Sequence, residues 1–209
     1  MCDAPSHPFE PTDAALVAAW RAGDQDAARR LFARYYAKVL RFHERRAPDE
    51  AHDLTQKTFT RCWEAQSRLP ELRSFRAYVF RIADRLFIDH LRAKRRLLGK
   101  LTDTAVDTLL DVGVSPSQSA AASEASQRLA AALYALPIAW QTIFDLHYFG
   151  GLTVEEIAVV LETPSGTIRT RLQSGRKRLA ALVEQAGGLG LTVDSCTIDA
   201  WLAELRHTS

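Results

Sequence analysis

"LTVEEIAVVLETPSGTIRTRLQSGRKRL", Leu152 to Leu179, decides how the chain is read. Thr153 and Glu156 stand in the S/T-x-x-E order of a capping box, which opens a helix by satisfying its first free N–H groups. Val154, Ile157, Ala158 and Leu161 follow at i, i+3, i+4 and i+7, the apolar stripe of a short helix. After a three-residue break, Pro164 is expected in the first turn of a second helix capped by Thr163. That helix turns Ile168, Leu172 and Leu179 inward, with Gly175 allowing a neighbour to approach closely. Two short amphipathic helices across so tight a turn form a helix-turn-helix unit, whose second helix lies in the major groove of DNA.

The polar side of the second helix supports that reading. Glu162 is the only acid between Leu161 and Leu172, and the next carboxylate is Glu184. Between them stand Arg169, Arg171, Arg176, Lys177 and Arg178. DNA is a dense line of phosphates, so a helix in its groove gains from cations and suffers from carboxylates. Ser165, Arg169, Thr170 and Gln173 occupy the early turns, where base edges are reached; Arg suits guanine and Gln suits adenine. Arg171, Arg176, Lys177 and Arg178 are placed for phosphates, which set register without reading sequence. A solvated basic helix is the plainer explanation for any one of these cations. Cap, turn, proline and acid-free face together favour DNA.

Outward from this unit, nearly everything reads as helix. Thr12 or Asp13 caps "AALVAAWRA", closed by Gly23, and Asp24 caps a helix carrying Ala28, Leu31, Phe32, Tyr35, Val39 and Phe42 on one side. Pro48 and Asp49 begin "EAHDLTQKTFTRCWEAQ", which ends before Pro70. Ser74 caps a long helix with Phe75, Tyr78, Val79, Ile82, Ala83 and Leu86 on its inner face. Its cations include Arg76, Arg81, Arg85, Arg92 and Arg95, opposed on that helix only by Asp84 and Asp89, with Tyr78, Phe80 and Phe87 interleaved. Cations beside rings are what unpaired bases bind, although most of these rings are expected in the core, Tyr78 among them.

Composition changes between Leu101 and Gln127, where there is no Lys or Arg and Asp103, Asp107, Asp111 and Glu124 lie among small residues. The expected architecture is all-α: two small helical domains joined by a flexible acidic linker, the second containing the helix-turn-helix. The boundaries are a leader over 1–11, a first domain over 12–97, a linker over 98–126, a second domain over 127–185, and a C-terminal extension over 186–209. In that extension Ile198, Trp201, Leu202 and Leu205 form a short stripe expected to dock, on the chain itself or on a partner.

The 209 residues are 47% hydrophobic and 25% charged, with a formal net charge of +2, which suits an ordinary globular chain. No apolar run is long enough to cross a bilayer, and the first residues lack the pattern of a secretory signal. Cys2, Cys62 and Cys196 form no ligand set with the histidines, so a cytoplasmic protein without metal or cofactor is expected. Adjacent Glu155 and Glu156 diverge on a helix, and no His joins them at ligand spacing, which argues against a nucleic-acid enzyme.

Three stretches in order, "DLTQKTFTRCW" (53–63), "FRAYVFRIADRLFIDHLRAKRR" (75–96) and "ALPIAWQTIFDLHYFGGLTVEEIAVVLETPSGTIRTRLQSGRKRL" (135–179), resemble the extracytoplasmic-function group of the bacterial sigma-70 family. The resemblance spans about residues 12 to 185. It implies a non-enzymatic protein that joins RNA polymerase core enzyme and directs it to promoters. The second domain would hold the −35 element as duplex, and the first the −10 element as melted non-template strand. By that resemblance Arg76, Tyr78, Arg81, Asp84, Arg85, Arg92 and Arg95 face the strand. Asp53, Leu54, Gln56, Phe59 and Trp63 would meet a coiled coil of the polymerase's largest subunit, with one of Leu54 and Phe59 expected in the core. An anti-sigma partner is a further implication. Two positions depart from the family: Lys57 stands where an acid is usual, and Asp84-Arg85 where Arg-Asn is common. A transcriptional repressor that works without polymerase is the rival reading; it leaves "DLTQKTFTRCW" unexplained.

Overall fold

The computed structural model describes residues 10–66, 74–97, 124–185, 198–200 and 202, without the side chains of Arg95 and of residues 124–127. The leader up to residue 9, Arg73, the linker from 98 to 123, residues 186–197, Trp201 and Leu205 therefore lie outside the description. Among the described residues every regular element is helical.

Four helices build the first unit: α1 (Asp13–Arg21), α2 (Gln25–Glu44), α3 (Ala51–Glu64) and α4 (Phe75–Leu97). Thr12 accepts from the Ala15 N–H at 3.3 Å to start α1, and Asp24 accepts from the Asp26 and Ala27 N–H groups to start α2. The stripe of α2 is buried as its spacing predicts, with Ala28, Leu31, Tyr35, Val39 and Phe42 inward. Chain entry to α3 is a 3-10 turn over Pro48–Glu50 rather than α-helix from Pro48. Ser74 Oγ accepts from the Ala77 N–H and opens α4. Trp20 is the hub of this unit, fully buried, edge-on to Phe32 and to Phe75. Truncating a ring of that size to Ala typically costs about 3–5 kcal/mol.

The second unit comprises α5 (Glu124–Tyr134), α6 (Ile138–Phe144), a single π-turn over Asp145–Phe149, α7 (Val154–Val160) and α8 (Ser165–Gln185). Its first helix begins three residues before the 127 that composition suggests. At Gly175 an added Cβ would stand 2.5 Å from the Phe144 ring, so the close approach of α8 to α6 depends on the missing side chain. The capping box is complete: Thr153 Oγ1 accepts from the Glu156 N–H, and Glu156 Oε2 accepts from the Thr153 N–H.

The start of α8 differs from the reading of its sequence. The Pro164 carbonyl accepts the first intrahelical bond, from Ile168, so proline sits one position before the first turn. Thr163 does not cap; its hydroxyl donates back to the Leu161 carbonyl. The turn is closed instead by Glu162 at φ +50°, a left-handed backbone that costs a residue with a Cβ roughly 1 kcal/mol. Glycine is the usual occupant of such a position.

The two units pack together. Their buried side chains form one continuous cluster from Trp20 to Leu179, and Ile138 of α6 joins Ala47, Leu54, Leu86 and Phe87 in a second. Near the C-terminus Ile198 and Leu202 are fully buried, and Asp199 accepts hydrogen bonds from the Tyr148 hydroxyl and, at 2.7 Å, from Arg176 Nε.

Candidate nucleic-acid interface

On α8 the helical geometry does the arranging. Ser165, Arg169 and Arg176, at i, i+4 and i+11, share one azimuth to within about 20°. That line lies beside the inner stripe of Ile168, Leu172, Gly175, Leu179 and Val183, all buried. Arg169, Thr170, Gln173, Lys177 and Arg178 are exposed; Ser165, Arg171 and Arg176 are half-buried. Arg169 touches Glu155 at 3.5 Å with both side chains about two-thirds exposed, a contact that water and salt easily loosen. Arg176 is held more firmly, by Asp199 and by Tyr148, whose hydroxyl it meets at 2.8 Å. The Thr170 hydroxyl donates to the Gly166 carbonyl. Among the described residues Arg171, Lys177 and Arg178 have no ion pair, so three cations face solvent uncompensated.

The basic face of α4 has a different environment. Phe80 and Phe87 are core rings, and Tyr78 is half-buried beside Phe75. Three of its cations, Arg76, Arg81 and Arg85, are paired by acids from outside the helix. Arg76 makes a two-point contact with Glu156, Nη2 to Oε2 at 2.7 Å and Nε to Oε1 at 3.3 Å, and Ser74 donates to the same carboxylate at 2.5 Å. Arg81 and Arg85 both donate to Glu162 Oε1, the second at 2.6 Å. Arg92 pairs weakly with Asp89 at 3.5 Å, both exposed. Asp84 and Asp89 are the acids of that helix, as read; the further acids that oppose its cations, Glu156 and Glu162, come from the second unit, through the packing of α4 on α7.

Beneath this surface lies a buried charge cluster. Asp145, first residue of the π-turn, receives Arg45 Nε on one oxygen and Arg46 Nε on the other, each at 2.9 Å. Arg46 is nearly inaccessible, its guanidinium 3.9 Å from the Phe42 ring centroid and 3.7 Å from Asp84 Oδ1. Burial pushes the Asp84 carboxyl above the ordinary range, against the pull of Arg46 and Arg85. Asp84 therefore faces an internal arginine, not open solvent. His43, also inaccessible, is held neutral: burial first, then Arg46 and His90, lower its pKa to about 3. The Thr58 hydroxyl donates to the Leu54 carbonyl, so the 3.4 Å contact between His43 Nε2 and Thr58 Oγ1 requires the proton on Nε2.

Across α3, Asp53 and Gln56 are exposed, as is Trp63, at 41% of its surface. Leu54 and Phe59 are both buried, so the expectation that one of them is free is corrected. Each is drawn in by a neighbour: Leu54 by Leu86 and Ile138, and Phe59 by Phe32, 5.0 Å away between centroids. Tyr36, 44% exposed, stacks on Phe59 at 5.8 Å and extends the aromatic surface towards Trp63. Lys57 turns onto Asp53 at 2.5 Å, an exposed i, i+4 pair. Cys62 is inaccessible and its thiol is pushed up to about 12 by burial, which makes it inert. Sequence reasoning missed Arg45, Arg46, Asp145, Tyr148 and the pairing roles of Glu156 and Glu162. A lone Asp inside "TIFDLHYF" was the one available signal for a buried partner.

Comparison with known proteins places the chain. Residues 28–97 match the family "Sigma-70 region 2", and residues 126–179 match "Sigma-70, region 4". The ECF RNA polymerase sigma factor SigE of Mycolicibacterium smegmatis is 31% identical over 176 residues, 81% of this chain and 67% of its own length. SigW of Bacillus subtilis is 29% identical over 166 residues, 75% of this chain and 89% of its own. In fold the chain matches the sigma factor RpoE solved with the anti-sigma factor NepR from Bartonella quintana, with TM-score 0.60, 22% identity, 75% of this chain and 96% of that one. The two family matches and the 31% identical relative define a DNA-binding protein of the sigma-70 family. The chain belongs to the extracytoplasmic-function (ECF) group of that family and is a sigma factor of transcription initiation.

Proposed function

We propose that this sigma factor joins core RNA polymerase in the cytoplasm and reads a promoter at two separate places. The residues from 127 to 185 hold the −35 element as duplex, with α8 in the major groove. Ser165, Arg169, Thr170 and Gln173 meet base edges, while Arg171, Arg176, Lys177 and Arg178 meet phosphates. Residues 12 to 97 hold the −10 element as melted non-template strand along Arg76, Tyr78, Arg81, Arg85, Arg92 and Arg95, with Asp84 behind them. The segment 98–126 joins the two. Asp53, Gln56 and Trp63 touch the polymerase's largest subunit, and Leu54 and Phe59 hold α3 in shape from beneath. An anti-sigma factor is a second partner, as it is for the Bartonella quintana protein.

The observation that supports this most is the outward face of α8 from Ser165 to Arg178, which carries uncompensated cations and no carboxylate. Run-off transcription with purified core polymerase tests it. Charge reversal at Arg169 is expected to abolish promoter-specific transcripts and leave association with core intact. Replacement of Asp53 and Gln56 is expected to do the reverse. A chain that binds promoter duplex yet yields no transcript with core polymerase would return the repressor reading.

A further inference from the structure

Five arginines of the first unit end on three carboxylates of the second: Arg45 and Arg46 on Asp145, Arg76 on Glu156, Arg81 and Arg85 on Glu162. Two of these carboxylates have structural work. Asp145 neutralises a buried guanidinium, and Glu156 closes the cap of α7. Glu162 has none of that kind. It is exposed and caps nothing, and its side chain bonds to Arg81 and Arg85 alone among the described residues.

The same residue occupies a backbone position that disfavours it, at φ +50°, and it is the one acid in a stretch otherwise shaped for DNA. Strain that persists at one place is a reason to look for a role there. The chemistry of its partners supplies the role. To a guanidinium, a carboxylate and a phosphodiester offer the same thing: two oxygens sharing negative charge in a geometry that the fork can meet. Arg81 and Arg85 cannot serve both at once.

We infer that Glu162 is a built-in competitor of the melted strand, occupying Arg81 and Arg85 in the free chain and giving way to strand phosphates. The inference rests on the assignment of α4 to strand binding. Its position adds an order of events. Glu162 lies three residues before Ser165, so docking of α8 on duplex brings phosphates near its carboxylate and repels it from that place. Engagement of the upstream element thus favours release of the arginines needed downstream.

The experiment uses the full chain and a labelled 12-nucleotide single-stranded DNA of mixed sequence, read by fluorescence anisotropy. Glu162→Gln removes the charge and keeps the side-chain length; Glu162→Asn also removes it and suits the left-handed backbone. Both are expected to bind the strand about 2- to 10-fold more tightly than the parent, as release of two exposed ion pairs allows. The gain is expected to vanish when Arg81→Ala and Arg85→Ala are added. Equal or weaker binding by both variants, with Arg81→Ala and Arg85→Ala still weakening the parent, overturns the competitor and leaves the strand assignment standing. A gain that survives loss of both arginines overturns the strand assignment at these residues, and the competitor with it.

Discussion

The cationic faces of α8 and α4 are built from the same residue types and meet opposite surroundings. On α8 Arg171, Lys177 and Arg178 have no ion pair among the described residues, and the single partner of Arg169 is a distant, solvated Glu155. On α4 Arg76, Arg81 and Arg85 rest on Glu156 and Glu162 of the facing unit. On the proposed assignment of duplex to α8 and melted strand to α4, the difference is one of availability. A helix that reads intact duplex needs only an open face, because duplex is present before the protein arrives. A surface for melted strand has no ligand until DNA opens, and exposed arginines there would bind any phosphate chain without regard to sequence. On that assignment, pairing with the facing unit's carboxylates holds Arg76, Arg81 and Arg85 in reserve.

The strongest way to break this comparison is to attack what holds the covered side together. Asp145→Ala leaves Arg46 buried with only Asp84, 3.7 Å away, for company. Removing one partner of a buried pair costs about 3–5 kcal/mol, and Asp84 keeps the value near the lower end. Denaturant unfolding of the variant should show that loss. Duplex binding at temperatures where the variant stays folded should remain within twofold of the parent. A loss under 1 kcal/mol would mean that water reaches Arg46 and that the packing of the two units is looser than described.

Acid gives the next largest effect, and its sign follows from His43. Its pKa in the folded chain is about 3, against 6.5 when unfolded, so the unfolded state binds more protons between those values. Stability is therefore full above pH 6.5 and falls as pH drops towards 3. Between pH 7 and pH 4 this single group removes about 3 kcal/mol. The groups around it reinforce the direction: Arg46, in the turn just past α2, and His90 from α4 both oppose a charged imidazole, and Thr58 of α3 offers only its hydroxyl. Glu156 acts the same way at lower pH. Burial alone would raise its carboxyl, but bonds from Ser74, the Thr153 N–H and Arg76 outweigh burial and lower it. His43→Gln should flatten the slope of stability against pH between 6.5 and 4; an unchanged slope would assign the acid response to other groups.

Local signals in the sequence carried most of the fold, and they stopped at the contacts between units. The capping box at Thr153, the stripe on α2 and the close approach at Gly175 each depend on residues within a few turns, so spacing alone exposes them. The start of α8 was misplaced by one position because Thr163 and Pro164 satisfy more than one capping scheme, and only the hydrogen bond from Ile168 to Pro164 decides between them. The pairing of Arg46 with Asp145 joins residues 99 positions apart, and nothing local at either end names the other. The same holds for Glu162, which spacing marks only as an odd acid in a basic stretch. Leu54 and Phe59 illustrate a further limit: a helix with apolar residues on two sides does not reveal which side a second domain will cover.

Smaller effects sharpen the contrast within α8 itself. On the proposed reading Arg169 meets a base edge, so Arg169→Ala should weaken promoter duplex by about 1–3 kcal/mol and relax preference at one base pair. Lys177 lies two turns further on, exposed and without an ion pair among the described residues, and the proposed reading gives it a phosphate. Lys177→Ala should weaken all duplexes alike, and it should reduce the slope of log affinity against log salt by about 0.9, the release of one counterion. Neither change should alter binding of single strand to the first unit, because Arg76, Arg81 and Arg85 of α4 pair with Glu156 and Glu162 and with no residue of α8. If Lys177→Ala instead discriminated among sequences, the groove-facing line would extend past Gln173 and the division of α8 into reading and positioning halves would have to move.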